Sequence, residues 1–176
     1  MKRLVLVAVL AATIGIAGFA VADDMAPAPY FVIEAQAVGM DVVGMVPEGL
    51  RLDGHSRGVV AEGLLVGATT VGVDYLVFRH DGVGVIDARY FVADEEGVTV
   101  AMTLRGFIGE PMPGLLEAML DPEFEFADVS IPLHGAAWLQ TMAPQYAYLN
   151  HTVFGFDGTI NYAEGAIRMS FRPLAP

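Results

Sequence analysis

The chain has 176 residues, 55% of them hydrophobic, and carries 21 Asp and Glu against nine Lys and Arg for a net charge of −12. A field of that sign repels phosphate backbones and anionic lipid, so no nucleic-acid partner is expected. With no Cys, thiol catalysis, thiolate metal sites and disulfides are excluded, and the fold must hold through burial alone.

Lys2 and Arg3 precede an apolar run from Leu4 to Phe19 that ends in Ala20-Val21-Ala22, the pattern of an export signal cleaved before Asp23. The run approaches the roughly 20 residues that cross a bilayer, which makes an uncleaved anchor the competing reading. The small-x-small ending, followed at once by Asp23-Asp24, favours cleavage. Residues 1–22 are therefore expected to be a signal peptide, residues 23–29 a loose leader, and residues 30–176 one domain in the periplasm or outside the cell. No stable membrane insertion is expected after cleavage. The mature chain would retain 154 residues, enough for a real core, with seven Arg against 21 acids and a net charge of −14.

The first strand is "YFVIEAQAV", Tyr30 to Val38. Beyond it come short Val-rich and aromatic runs separated by Gly and Asp turns, the signature of an all-β protein. "HDG" at 80–82 fits a three-residue hairpin loop with Gly in the left-handed position, so that Arg79 faces Val83 and Phe78 pairs with Gly84. The loop "ADEEG" at 93–97 is expected to pair Val92 with Val98 and Asp87 with Thr103. Strand alternation then sorts the side chains into two faces. One is dry, with Leu76, Phe78, Ile86, Ala88, Tyr90, Val92, Val98, Val100, Met102 and Leu104. The other carries Tyr75, Asp87, Arg89, Phe91, Thr103 and Arg105. "GLLEAML", Gly114 to Leu120, follows a Pro pair and predicts a short helix serving as plug or lid. "DPEFEFAD" alternates acids with Phe124 and Phe126 and reads as an edge strand kept soluble by charge; three acids on one face could attract calcium, but no Gly-centred ligand loop accompanies them.

The stretches "DYLVFRHDGVGVIDARY" (Asp74 to Tyr90), the later turn with Gly97, and "YAYLNHTVFGFDG" (Tyr146 to Gly158) resemble the bacterial domain of unknown function 3237 family, also called uncharacterised protein family 0311. The resemblance runs from about Gly49 to Phe171. It implies a single antiparallel β-barrel with no established reaction. Family members commonly carry an Arg-Thr and a Phe-Glu-Thr segment ahead of the last motif; "HGAAWLQT" here has His134 where that Arg is expected and Gln140 where that Glu is expected. Tyr148 stands where the family usually has Trp.

Asp87, Arg89, Thr103, Arg105 and Tyr75 share a face less polar than an ordinary exterior. They read either as a ligand-binding group at the mouth or lumen of the barrel, with an Arg to fix an anionic ligand, or as a charge network on the outer wall. Tyr148 and Asn150, in the last motif, are further candidates for ligand binding, Asn150 either bonding backbone at a turn or projecting into the lumen. His134 and Asp87 are the candidates for proton transfer. His151 reads as a structural strand residue, and His55 and His80 as turn residues. None of the four His shows paired metal-ligand spacing, so no metal is expected. "GVGVID" at 82–87 is too short for a dinucleotide fingerprint and lies in a hairpin, and neither Ser56 nor Ser130 sits in a nucleophile elbow. No cofactor is expected.

The sequence thus predicts an exported all-β protein, a single antiparallel β-barrel with one short helix, that binds a small apolar or aromatic, possibly anionic, molecule. The alternative is a cofactor-free isomerase, cyclase or lyase in the same cavity, and a third is an assembly subunit, with a homo-oligomer left open. The exported form should begin at Asp23: its intact mass should lack residues 1–22, whereas a dominant species retaining Met1 would support the anchor.

Overall fold

The computed structural model describes residues 28–121 and 123–174. The expected signal peptide and most of the leader fall outside them. Eight strands form a closed barrel in which each pairs with its neighbour in chain order and β8 returns to β1. They are β1 Phe31–Val46, β2 Gly49–Gly63, β3 Thr69–Phe78, β4 Gly84–Ala93, β5 Thr99–Ile108, β6 Ile131–Thr141, β7 Val153–Asn161 and β8 Ala166–Pro173. Every pairing is antiparallel. A helix, α1, spans Leu115–Met119, and a 3-10 helix spans Pro144–His151.

The dry face is the inner face. Leu76, Phe78, Ile86, Ala88, Tyr90, Val92, Val100, Met102 and Leu104 are all buried, as alternation requires when one side of a strand faces a packed interior. The β3–β4 hairpin has the expected register: Phe78 pairs with Gly84, the Arg79 N–H donates to the Val83 carbonyl (2.9 Å), and Gly82 has φ 85°. The β4–β5 register differs from expectation by two residues. Val92 pairs with Val100 and Asp87 with Arg105, because Asp94 accepts the N–H groups of Glu96 and Val98 and so holds a longer loop. A two-residue slip leaves every side chain on its own face.

One end of the barrel is packed with aromatic rings. Phe31 stacks on Phe171 at 4.3 Å between ring centres and meets Phe154 edge-on at 5.6 Å. The opposite end is crossed by the β5–β6 connection. There the Met112 N–H donates to the Asp81 carbonyl, Phe126 stacks on Tyr162 at 4.5 Å, and Asn161 donates to Asp128. Leu116 of α1 is buried in the core, so the expected helix does plug this end. "DPEFEFAD" is not the edge strand expected. It is part of this connection, with Phe124 and Phe126 half-buried and Glu123 and Glu125 exposed. β1 also runs eight residues further than expected. Beyond Gln36 it pairs with β2 alone.

Phe171→Ala should cost about 3–5 kcal/mol, because a fully buried ring leaves a cavity that its neighbours fill only in part. Urea denaturation of the domain reads this as a lowered midpoint at unchanged slope.

Candidate functional site

β3 is the strand that places an acid inside. Its inward series runs Thr70, Gly72, Asp74, Leu76, Phe78, so the alternation that buries Leu76 and Phe78 also turns Asp74 inward. Asp74 lines a cavity of about 100 Å³ between the aromatic end and the β5–β6 connection. Most of the wall is aliphatic, from Leu52, Leu76, Ile86, Leu104, Leu133 and Met169. Its mouth opens where β1 leaves β8, between Gly39 and Met40 on one side and Gly165 on the other, with His55 nearby. Opposite Asp74 in the β2–β3 ladder stands Gly54. A side chain built there would meet no heavy atom within 4 Å, so the missing side chain is what keeps the cavity open.

Asp74 accepts one hydrogen bond, from the Asp87 backbone N–H (3.1 Å). This bond replaces ladder pairing at a gap in the β3–β4 register between Asp74/Ala88 and Val77/Val85. The second carboxylate oxygen has no protein donor among the described residues. Burial pushes the Asp74 pKa up to about 7; the Asp87 N–H works against that shift, and the negative charges of Asp87 and Asp53 add to it. Asp74 is partly accessible by surface area but enclosed by protein on nearly every side, because its accessible part faces the cavity. The enclosure, not the area, sets its desolvation.

Two phenols share the cavity. The Tyr90 hydroxyl lies 2.8 Å from Ser56 Oγ, and burial pushes its pKa up to about 12, so it is a neutral group. Its ring fits because residue 72 is Gly: a Cβ there would come within 2.4 Å of Tyr90 Cδ1. Tyr162, in the β7–β8 turn, has a buried hydroxyl without a hydrogen-bond partner among the described residues, and burial raises its pKa further still, with the charge of Asp74 adding to the shift. An unpaired buried O–H is a donor awaiting an acceptor.

The residues singled out from sequence lie elsewhere. Asp87, Arg89, Thr103, Arg105 and Tyr75 are on the outer wall, and none of them lines the cavity. Arg89 Nη1 is 2.6 Å and Arg105 Nε 3.5 Å from Asp87 Oδ1. Burial alone would raise the Asp87 pKa, but Arg89 and then Arg105 outweigh it and hold the carboxyl below its usual value. The Tyr75 ring carries the Arg51 guanidinium at 5.4 Å, and Thr103 pairs with Arg89 and Trp138. Tyr75 and Arg89 border a shallow outer groove with Val71 and Phe91. His134 is exposed on the outer wall, opposite Asp157 and 6.0 Å from the Phe107 ring. The Tyr148 hydroxyl meets that of Tyr30 at 2.6 Å. Asn150 takes the backbone reading: its side chain accepts from the Thr141 N–H and donates to the Thr141 carbonyl. His55 lies within β2 rather than in a turn, bonded to Asp41 at 2.8 Å. His151 ends the 3-10 helix instead of standing in a strand, while His80 does occupy a turn. Asp74, Tyr90 and Tyr162 went unmarked, although the parity of Asp74 with Leu76 and Phe78 was readable.

The family model for the protein of unknown function DUF3237 matches residues 33–169. The chain belongs to that family. Among solved structures it is similar to a protein of unknown function from Clostridium acetobutylicum (TM-score 0.69, 16% identity, covering 84% of this chain and 98% of that one). A conserved protein of unknown function from Rhodopseudomonas palustris gives TM-score 0.66 at 17% identity, covering 84% and 96%. An enzyme from Penicillium herquei gives TM-score 0.51 at 16% identity, covering 84% and 98%. At these identities the likeness is one of fold. No curated protein shows significant similarity to the chain.

Two measurements separate the inner acid from the outer pair. Because the folded pKa of Asp74 is raised from 3.8 to about 7, the folded state holds the proton more tightly, so the Asp74 contribution to stability should be full below about pH 4 and be lost as pH rises through 7. The change is up to about 4 kcal/mol. Asp74→Asn should remove that slope, read as the wild-type minus variant difference in urea midpoints between pH 4.5 and 8. Arg89→Ala, at an exposed ion pair, should cost less than about 1 kcal/mol.

Proposed function

We propose that the mature protein acts after export, as a binder of a small apolar or aromatic molecule that carries one hydrogen-bonding oxygen, held inside the barrel by Asp74. The observation that carries this reading is an inward carboxyl with one open oxygen in an otherwise aliphatic cavity. A concave, mostly apolar pocket with a few convergent polar groups is the usual form of a small-molecule site. The polar anchor thus moves from the Arg expected from sequence to an acid. No Arg or Lys lines the cavity among the described residues, so the site favours a neutral phenol, alcohol or ketone over an anion. The volume fits one small ring, or one end of a longer molecule that extends through the mouth beside Met40.

A second reading, a cofactor-free isomerase, cyclase or lyase using the same cavity, is favoured by one observation. A buried carboxyl that titrates near neutrality can both take and give a proton at working pH. The Penicillium herquei barrel, described as an enzyme, supports it only by showing that this fold occurs in one. His134 and Asp87 are too far outside the cavity wall to serve; Asp74 takes the role proposed for them.

Calorimetric titration with phenol tests the binding. Gly54→Leu should weaken phenol at least tenfold by filling the cavity, and Arg89→Ala should leave the affinity within about twofold. Equal affinity in Gly54→Leu and the wild type would remove the cavity as the site.

A further inference from the structure

Resting on the reading of the cavity as a small-molecule site, we propose that Asp74 and Tyr162 form a proton-transfer pair acting on an enolisable carbonyl compound, with Asp74 as base and acid at carbon and the Tyr162 hydroxyl as donor to the carbonyl oxygen. Three features of the site carry this. Asp74 has a free oxygen on the cavity side, its other oxygen being fixed by the Asp87 N–H. Tyr162 lines the cavity, and its buried hydroxyl has no hydrogen-bond partner among the described residues. Most of the surrounding wall is aliphatic, and a ligand oxygen is the partner that would satisfy Tyr162. Stacking on Phe126 and contact with Phe78 hold its ring in place. A fixed hydrogen-bond donor in a dry site stabilises developing negative charge on oxygen far better than water does.

For a β,γ-unsaturated ketone the electron count closes without a cofactor. The ionised Asp74 takes a proton from the carbon between the carbonyl and the double bond. The C–H pair becomes a new carbon–carbon π bond, and the carbonyl π pair moves to oxygen as an enolate that accepts from Tyr162. The enolate pair then restores the carbonyl, the double bond shifts into conjugation, and the γ-carbon takes the proton back from Asp74. Nothing is oxidised or reduced. Asp74 ends ionised, as it began.

The groups that set the protonation of Asp74 are the charges of Asp53 on β2 and Asp87 on β4, behind the wall, with Arg51, Arg89 and Arg105 paired to them. Tyr90 and Tyr162 face it in the cavity and His55 stands near the mouth. Because the base must be ionised to start the reaction, the rate should rise with pH and level off above about 7.

The test uses 3-cyclopentenone, small enough for the cavity, and follows its conversion to conjugated 2-cyclopentenone by ultraviolet absorbance. Binding of cyclopentanone is measured in parallel by calorimetry, and folding by circular dichroism. The wild type should accelerate the isomerisation. Asp74→Asn should lose about 1000-fold or more while still binding cyclopentanone, within the range expected for a general base. Tyr162→Phe should lose about 10- to 100-fold in kcat with little change in KM. Gly54→Leu should lose binding and turnover together. If the wild type binds cyclopentanone but isomerises no faster than Asp74→Asn, proton transfer is overturned and the binder stands. If the wild type and Gly54→Leu bind cyclopentanone equally weakly, the cavity reading falls and this proposal with it. Should Asp74→Asn fail to fold, unaltered turnover and pH profile in Tyr162→Phe would still overturn the pair.

Discussion

Closure of the sheet between β1 and β8 is the constraint on which everything else in this fold rests. An eight-stranded barrel has a true interior only if its first and last strands pair, and here they do so over just six residues, Phe31–Gln36 against Ala166–Phe171. The seam is reinforced on both sides of the wall. Inside, Phe31 stacks on Phe171; outside, Arg168 reaches across from β8 to Glu34 on β1 and Glu62 on β2. The last backbone bond of the join is from the Ala37 N–H to the Gly165 carbonyl. Past that point β1 continues with β2 alone, and the wall has a gap. The shortness of the seam therefore makes the mouth: a longer β1–β8 ladder would have sealed the cavity between Met40 and Gly165.

The two ends of the interior follow different packing rules. At the aromatic end Phe31, Phe154, Phe171, Val100 and Leu149 are essentially fully buried, with Thr70 the polar side chain buried beside them. Toward the other end Gly54, Asp74 and Tyr162 give up packing, charge solvation and a hydrogen bond in turn, while Tyr90 keeps its bond to Ser56. Each of these choices is destabilising taken alone, by about 1 kcal/mol or more for an unpaired buried polar group. Apart from the unpaired Thr70 hydroxyl, the local violations among the described residues gather at the cavity, which is the pattern that motivates reading it as a site. Aromatic burial at the far end is what allows the cavity to exist.

Much of this was legible in the sequence, because strand parity is robust. The dry face of β3, β4 and β5 could be read from Leu76, Ile86 and Val100, and even a two-residue error at Asp94 moved no side chain to the wrong side. Tertiary context decided what parity could not. The length of β1 depends on bulges at Val38 and Val43, which break its alternation and hide it as a strand. The Phe124–Phe126 stretch alternates as a strand would, yet no neighbour was free to pair with it, and its rings pack on Tyr162 instead. Asp87 and Arg89 share the parity of the outer wall, while Asp74, one residue out of step with Tyr75, carries the parity of the core and lines the cavity.

Asp87 and Arg89 still bear on the site, from behind it. Asp87 donates its backbone N–H to Asp74, and its carboxylate sits on the other side of a single layer of sheet. In a shell of net charge −12, each unshielded outer acid makes ionising the inner one harder, since field lines through a low-dielectric wall are poorly screened. Arg89 and Arg105 on Asp87, and Arg51 on Asp53, neutralise the two outer acids whose charges reach Asp74. Burial remains the largest cause of the raised Asp74 pKa, the Asp87 N–H is what lowers it, and the outer acids add to the rise. An acid and a base two residues apart on the outside of β4 thus meet the inside of β3 through the Asp87 backbone, whose N–H holds the Asp74 carboxylate.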